Sequence, residues 1–252
     1  MISKLATKHH LFVEPGFQWR GDEISRIEGL SDAVFAFAVT LLIVSLEVPK
    51  NFEEFYRTLA GLPSFAMTFV MLMFIWFEQY KYFRRYGLQD KKTVILTIAL
   101  LFVVLYYVYP MKFLFNAIFA PIIHAMFPSI SGLQLEVFTS PDDVRNLMIL
   151  YNVGVLAIYS IFYVLYRHAR RFREVLHFNE VELFDTKWSM YDALFFMILS
   201  TLGLSMALIG GVTLPALSGM MYGPVCGLYF TISSSFSAKR REALVKQHQS
   251  AH

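Results

Sequence analysis

Four side chains near the start of the chain combine types and spacing that could do polar chemistry at the edge of an apolar segment. They are Arg26, Ser31, Asp32 and, eight residues after the aspartate, Thr40. They belong to RIEGLSDAVFAFAVTLLIVSLEVP, Arg26 to Pro49, in which Asp32 is followed by fourteen residues, Ala33 to Leu46, that carry no charge. Ser31 and Asp32 have the short oxygen-bearing side chains that cap a helix by accepting from free backbone N–H groups. At 100° per residue, Ala33, Phe37, Thr40, Val44 and Val48 fall on one helical face. That face carries one hydroxyl in mid-span with a bulky ring one turn before it. Capping explains Ser31 and Asp32 but not the face that follows. A threonine in a helix can also bond its own backbone carbonyl and serve only packing, and by itself Thr40 favours that reading.

Other chemistry is missing. No HExxH, paired CxxC, GxSxG or P-loop pattern occurs, and no two carboxylates stand together inside an apolar block. A membrane enzyme needs such groups to hold a metal or supply a nucleophile. The seven histidines are scattered through tails and connections, and His9, His10 and His124 read as solvated or interfacial rather than as ligands. The single cysteine, Cys226, excludes an intrachain disulfide framework and reads as a small packed residue. No enzymatic activity, cofactor or bound metal is expected.

The elements that must position these residues follow from composition. Hydrophobic residues make up 56% of the chain and charged residues 16%, so a bilayer is the expected solvent. A helix needs roughly 20 apolar residues to cross the hydrocarbon core. Six blocks of that length are expected: Gly29–Val48, Ala60–Tyr82, Thr93–Phe115, Leu147–Tyr166, Met190–Ile209 and Val212–Ser234. Their continuous apolarity predicts helices and not barrel strands, whose faces would alternate. A soluble bundle would keep a polar stripe on each helix, which the last two blocks lack. The fold class is therefore all-α, an integral membrane protein with six transmembrane helices. The first twenty residues lack an apolar region followed by a cleavage site, so the first spanning helix is expected to target the chain.

Charge sets the expected topology. Of the 22 Lys and Arg, all but Lys50, Arg57, Lys112 and Arg145 lie in four segments: the N-terminal segment, the second-to-third and fourth-to-fifth connections, and the C-terminal tail. Positive residues mark the cytoplasmic side, so both termini are expected there, in a multi-pass protein of the cell membrane. With a net charge of +3, the basic runs read as orientation signals touching anionic headgroups and not as a nucleic-acid surface. Tyr80, Tyr82, Tyr106, Tyr107, Tyr109 and Trp188 fall near expected helix ends, where amphipathic rings favour the interface. The connection from Asn116 to Asn146 is the one long outer segment, expected to be broken by Pro121, Pro128 and Pro141. Its apolar IFAPIIHAMF reads as interfacial, re-entrant or a packed cap. The expected divisions are a cytoplasmic N-terminal segment, residues 1–25, a six-helix membrane domain, 26–236, and a basic cytoplasmic tail, 237–252.

Arg26-x-x-x-Leu30-Ser31-Asp32, followed by AVFAFAVTLL, resembles the signature of the bacterial relatives of the endosomal and lysosomal potassium channel, a family marked by Arg-x-x-x-Phe-Ser-Asp at the start of its first helix. The match covers Arg26 to Pro49, and six helices with cytoplasmic termini extend it more loosely over most of the chain. The resemblance implies a homotetramer whose first helices line a central pore, with potassium as the permeant ion and membrane lipid as the only other partner. It implies that Arg26, Ser31 and Asp32 form a polar network bracing the pore helix, joined by Trp76 of the second helix. It also implies a constriction at Phe37 and a pore-lining hydroxyl at Thr40, with Val44 further along the same face. Leu30 stands where the family has Phe, and Phe37 is larger than the usual Ile or Leu. The histidines common after the family's tryptophan are here Gln79 and Tyr80, with Glu78 beside them.

A cation channel, potassium-conducting, is therefore the leading expectation. A secondary transporter is the alternative, since Pro110, Pro215 and Pro224 with Gly210, Gly211, Gly219, Gly223 and Gly227 could break helices, but the halves show no repeat. A non-conducting relative closed by Phe37 is the third.

Overall fold

The computed structural model describes residues 16–21, 23–44, 49–126, 138, 140–209 and 213–250. These form eight helices: α1 Arg26–Val44, α2 Phe52–Ala60, α3 Leu62–Tyr86, α4 Lys91–Met126, α5 Pro141–Arg171, α6 Glu180–Ile209, α7 Thr213–Met220 and α8 Tyr222–Ser250. Among the described residues five stretches are long and apolar enough to cross a membrane: Arg26–Val44, Glu54–Tyr86, Lys91–Met126, Asp142–Arg171 and Glu180–Ile209.

The sixth expected block, Val212–Ser234, is not one helix. It is divided at Met221 between α7 and α8, and Gly223 and Pro224 sit in the first turn of α8. Proline suits a first turn because its missing N–H would have no helical partner there. α8 then runs without a break past residue 237 to Ser250, so the basic tail continues the last helix.

The outer connection also differs from expectation. α4 continues through Pro110 and Pro121 to Met126, so most of IFAPIIHAMF is helical and extends α4 instead of forming a re-entrant segment. Its 36 residues are about 54 Å long at 1.5 Å per residue, well beyond a hydrocarbon core of roughly 30 Å. Neighbouring helices can satisfy the backbone groups that a proline frees, which is why neither residue ends α4. Pro128 lies outside the described residues, and Pro141 opens α5 instead of breaking a loop. There Ser140 and Asp143 form a reciprocal capping box.

Packing is inverted relative to a water-soluble domain. Phe102 is 71% exposed and Phe74 62%, whereas Thr68, Thr97, Asn152 and Ser200 are fully buried. Apolar rings face outward because lipid accepts them, and polar groups turn inward to find partners. Tyr82 and Tyr107, expected at the interface, both turn inward. Both are core residues, and the Tyr107 hydroxyl donates to the Tyr151 carbonyl at 2.5 Å. Tyr106 and Tyr109 remain exposed.

α1 packs on α3 and α4, α5 pairs with α6, and α8 lies against α6. The basic segments converge on one end of this bundle. Arg20 of the N-terminal segment bonds the Leu176 carbonyl after α5 and Glu182 on α6. Arg241 of α8 bonds Asp185. Asp90, before α4, bonds His168 at 2.9 Å.

Candidate functional site

α1 has two faces. Ile27, Glu28, Ser31, Phe35, Ala38 and Leu42 are buried in the subunit. Arg26, Leu30, Ala33, Phe37, Thr40 and Val44 are exposed along the opposite stripe, Phe37 by 55% and Val44 by 70%. The stripe follows the spacing read from sequence, and it is left uncovered by the chain's own helices. Val48 lies outside the described residues. The Thr40 hydroxyl donates to the Ala36 carbonyl at 2.9 Å, the back-bond expected of a helical threonine. That bond commits the proton and leaves oxygen lone pairs directed away from the helix.

The N-terminal third of α1 is held by α3 through three polar contacts. Asp32 accepts from the Trp76 indole N–H at 2.8 Å. Ser31 accepts from the Gln79 amide at 3.1 Å while donating to the Ile27 carbonyl at 2.7 Å. Glu28 accepts from Arg84, whose Nε lies 3.0 Å away and whose Nη2 is also in contact. Residue numbers rise along α1 as they fall along α3, so the helices run antiparallel and the three contacts form a ladder one face wide. Ser25 starts it by accepting the Glu28 backbone N–H at 3.2 Å.

The sequence-derived brace is thus placed in two parts. Ser31, Asp32 and Trp76 come together at the α1–α3 contact. Arg26 does not join them: it lies on the exposed stripe and has no hydrogen-bond or ion-pair partner among the described residues. Gln79 occupies a position where the family often has histidine, and its amide still reaches Ser31. Tyr80 serves packing instead, with its ring stacked on Trp76 at 5.6 Å and Arg84 above it. Glu78 turns away from α1 to accept from Tyr166 of α5 at 3.1 Å.

Glu28 and Arg84 were missed as site residues. Arg84 counted only among the basic residues marking orientation, and Glu28 was not singled out. The available signal was positional: Glu28 lies three and four residues before Ser31 and Asp32, on their face of the helix.

Backbone approach completes this end. The Arg20 and Gly21 N–H groups both donate to the Arg84 carbonyl at 3.1 Å, and the Arg84 side chain donates to the Gly21 carbonyl. A Cβ at Gly21 would collide with the Phe83 carbonyl. Gly87 closes α3 in the left-handed region, φ 60°, with its N–H on the Phe83 carbonyl. Beyond it, Asp90 caps α4, accepting from Thr93 at 2.7 Å and from the Lys92 N–H at 3.1 Å. Partial burial pushes the Asp90 carboxyl up, but Thr93 and His168 outweigh it and hold the group below the ordinary aspartate range.

Among the described residues no cluster of three or more His, Cys, Asp or Glu is arranged to hold a metal ion. The site offers an apolar exposed helix face with one ring of aromatic bulk, one hydroxyl and a polar foot.

Residues 26–107 match the family model of the endosomal/lysosomal potassium channel TMEM175. A curated protein of Marivirga tractuosa described as a potassium channel is 36% identical over 237 residues, covering 92% of this chain and 95% of that protein. A crystal structure of a variant of the potassium channel MtTMEM175, in complex with a nanobody–MBP fusion protein, superposes with a TM-score of 0.78 at 35% identity. It covers 89% of this chain and the whole of that one. The signature read from Arg26 to Asp32 opens the matched segment, and on this evidence the chain belongs to the TMEM175 potassium channel family.

Proposed function

We propose that the protein is a potassium-conducting channel of the cell membrane, assembled as a homotetramer in lipid with both termini cytoplasmic, whose pore is lined by the exposed stripe of α1. The observation that carries this reading is that stripe: Ala33, Phe37, Thr40 and Val44 share one uncovered face while the opposite face is packed and braced in the subunit. A helix anchored on one side and bare on the other is suited to face an axis shared by copies. Four Phe37 rings would form the constriction, where dewetting limits flow, and four Thr40 oxygens would replace part of the water lost by a cation. The family membership and the potassium channels to which the chain is similar support the choice of ion.

Potassium and sodium flux from proteoliposomes tests the assignment. Thr40→Ala is expected to lower the potassium-to-sodium permeability ratio by about two- to tenfold, the equivalent of one modest hydrogen bond. Phe37→Ala is expected to raise potassium flux. An unchanged ratio removes Thr40 from selectivity, and unchanged flux removes Phe37 from the constriction.

A further inference from the structure

The three contacts of the α1–α3 ladder are not equivalent. Those of Ser31 and Asp32 end on α3, at Gln79 and Trp76. That of Glu28 does not. Its partner Arg84 is also bonded, through both main chain and side chain, to Arg20 and Gly21. Arg20 in turn forks onto both oxygens of Glu182 at 2.9 Å and onto the Leu176 carbonyl. Glu182, 1% exposed, also accepts from the Gln18 and Asn179 N–H groups. A continuous chain of hydrogen bonds therefore runs from the first turn of α6 to the first turn of α1, with a charged pair at each end, Glu182–Arg20 and Arg84–Glu28, and backbone bonds of the Gln18–Gly21 strap between them.

The chemistry of the chain argues for positioning. Glu28 and Arg84 are 5% and 7% exposed, and a buried ion pair is a poor substitute for apolar packing as a source of stability. What it supplies is direction and register. Above it, Phe35, Ala38 and Leu42 of α1 are apolar and would tolerate a small rotation or slide. The ion pair tolerates neither, because the planar guanidinium must meet the Glu28 carboxylate and the Gly21 carbonyl together.

We infer that Glu28 and Arg84 are positioning residues that set α1, and that the Arg20 strap relays the position of α6 to them. This rests on the reading of α1 as the pore helix. The first and last described segments both reach the relay's far end, since the Gln18 N–H donates to Glu182 and Arg241 of α8 bonds Asp185, three residues after Glu182. Movement of α6 or of either terminus is thereby coupled to the face that carries Phe37 and Thr40.

The test uses Glu182→Gln, which touches no residue of α1, beside Glu28→Gln and the carboxylate-retaining Glu28→Asp. Full-length protein in planar bilayers reports open probability and unitary current. Hydrogen exchange of the segment 26–36 in proteoliposomes reports the hold on α1 without reference to conduction. Glu182→Gln is expected to change open probability at least threefold, in the same direction as Glu28→Gln, with unitary current unchanged. Exchange of 26–36 should quicken at least threefold in both, and Glu28→Asp should lie nearer the parent in each measure. Should a Gln variant fail to assemble, Arg20→Lys, which keeps the charge and loses the fork, is held to the same expectation. Unchanged exchange and gating in Glu182→Gln and Arg20→Lys would overturn the relay. A parent that passes no potassium, with exchange still quickened in the variants, would overturn the conduction reading and leave the relay standing.

Discussion

The two ends of α1 are held by different physics. Its N-terminal third is tied by directional groups, Glu28 to Arg84, Ser31 to Gln79 and Asp32 to Trp76. Its remaining two-thirds rest on Phe35, Ala38 and Leu42, all buried and all apolar. In a bilayer the second kind of contact has a weaker driving force, because lipid tails are as apolar as leucine and helices gain by close packing more than by leaving their solvent. The comparison teaches that the directional contacts of the helix are gathered at its foot, while non-directional packing holds the rest.

The contrast is broken most severely at the ion pair. Glu28→Ala leaves the Arg84 guanidinium buried without its counter-charge, and a loss of about 3–5 kcal/mol of stability is expected. Leu42→Ala at the outer end removes a fully buried side chain. It is expected to cost about 2 kcal/mol, the lower end for such truncations, because the cavity remains but little is lost in transfer. Thermal unfolding in detergent compares the two. A larger loss at Leu42 than at Glu28 would reverse the contrast.

A milder change sharpens it. Trp76→Phe keeps an aromatic ring, smaller than the indole, and removes the N–H that Asp32 accepts, with an expected loss of about 1 kcal/mol since Asp32 is exposed. The same melting measurement checks it, and a neutral result would mean that water replaces the indole.

The smallest effect is expected at Asp90, beyond the foot of α3. Its carboxyl is held below its ordinary value of 3.8, so its contribution is complete above that value and is lost as the pH falls through the lower, folded-state value. Asp90→Asn should therefore melt below the parent at neutral pH, with the gap closing only in strong acid. A gap constant from pH 7 to pH 3 and below would show that the Asp90 charge contributes nothing to the difference.

Much of this architecture was legible without coordinates. Long apolar runs report spanning helices because no other local structure satisfies the backbone in lipid. The stripe of Ala33, Phe37, Thr40 and Val44 was legible because helical periodicity is a property of neighbours in sequence. Where reading went astray, the deciding partner was far away in the chain. Pro121 does not end α4, since the environment of a proline in a bundle depends on adjacent helices. Tyr82 and Tyr107 turn inward because the core beside them has room for a ring and a carbonyl for the Tyr107 hydroxyl. Arg26 stands apart from Ser31 and Asp32 because spacings of five and six residues turn it well away from both around the helix, a separation the motif's compact spelling conceals.

By itself the sequence determined the all-α membrane class, the clustering of most basic residues into four segments, the family, and the face of α1 on which Phe37 and Thr40 lie. These depend on composition and on periods of a few residues. Only the tertiary structure decided that Glu28 meets Arg84, that the Gln18–Gly21 strap joins them to Glu182, and that the sixth apolar block is divided at Met221. Glu28 and Arg84 are 56 residues apart, and Arg20 and Glu182 are 162. Which of many charges become partners over such separations depends on the depth and rotation of each helix, and those are set by the packing of all of them together.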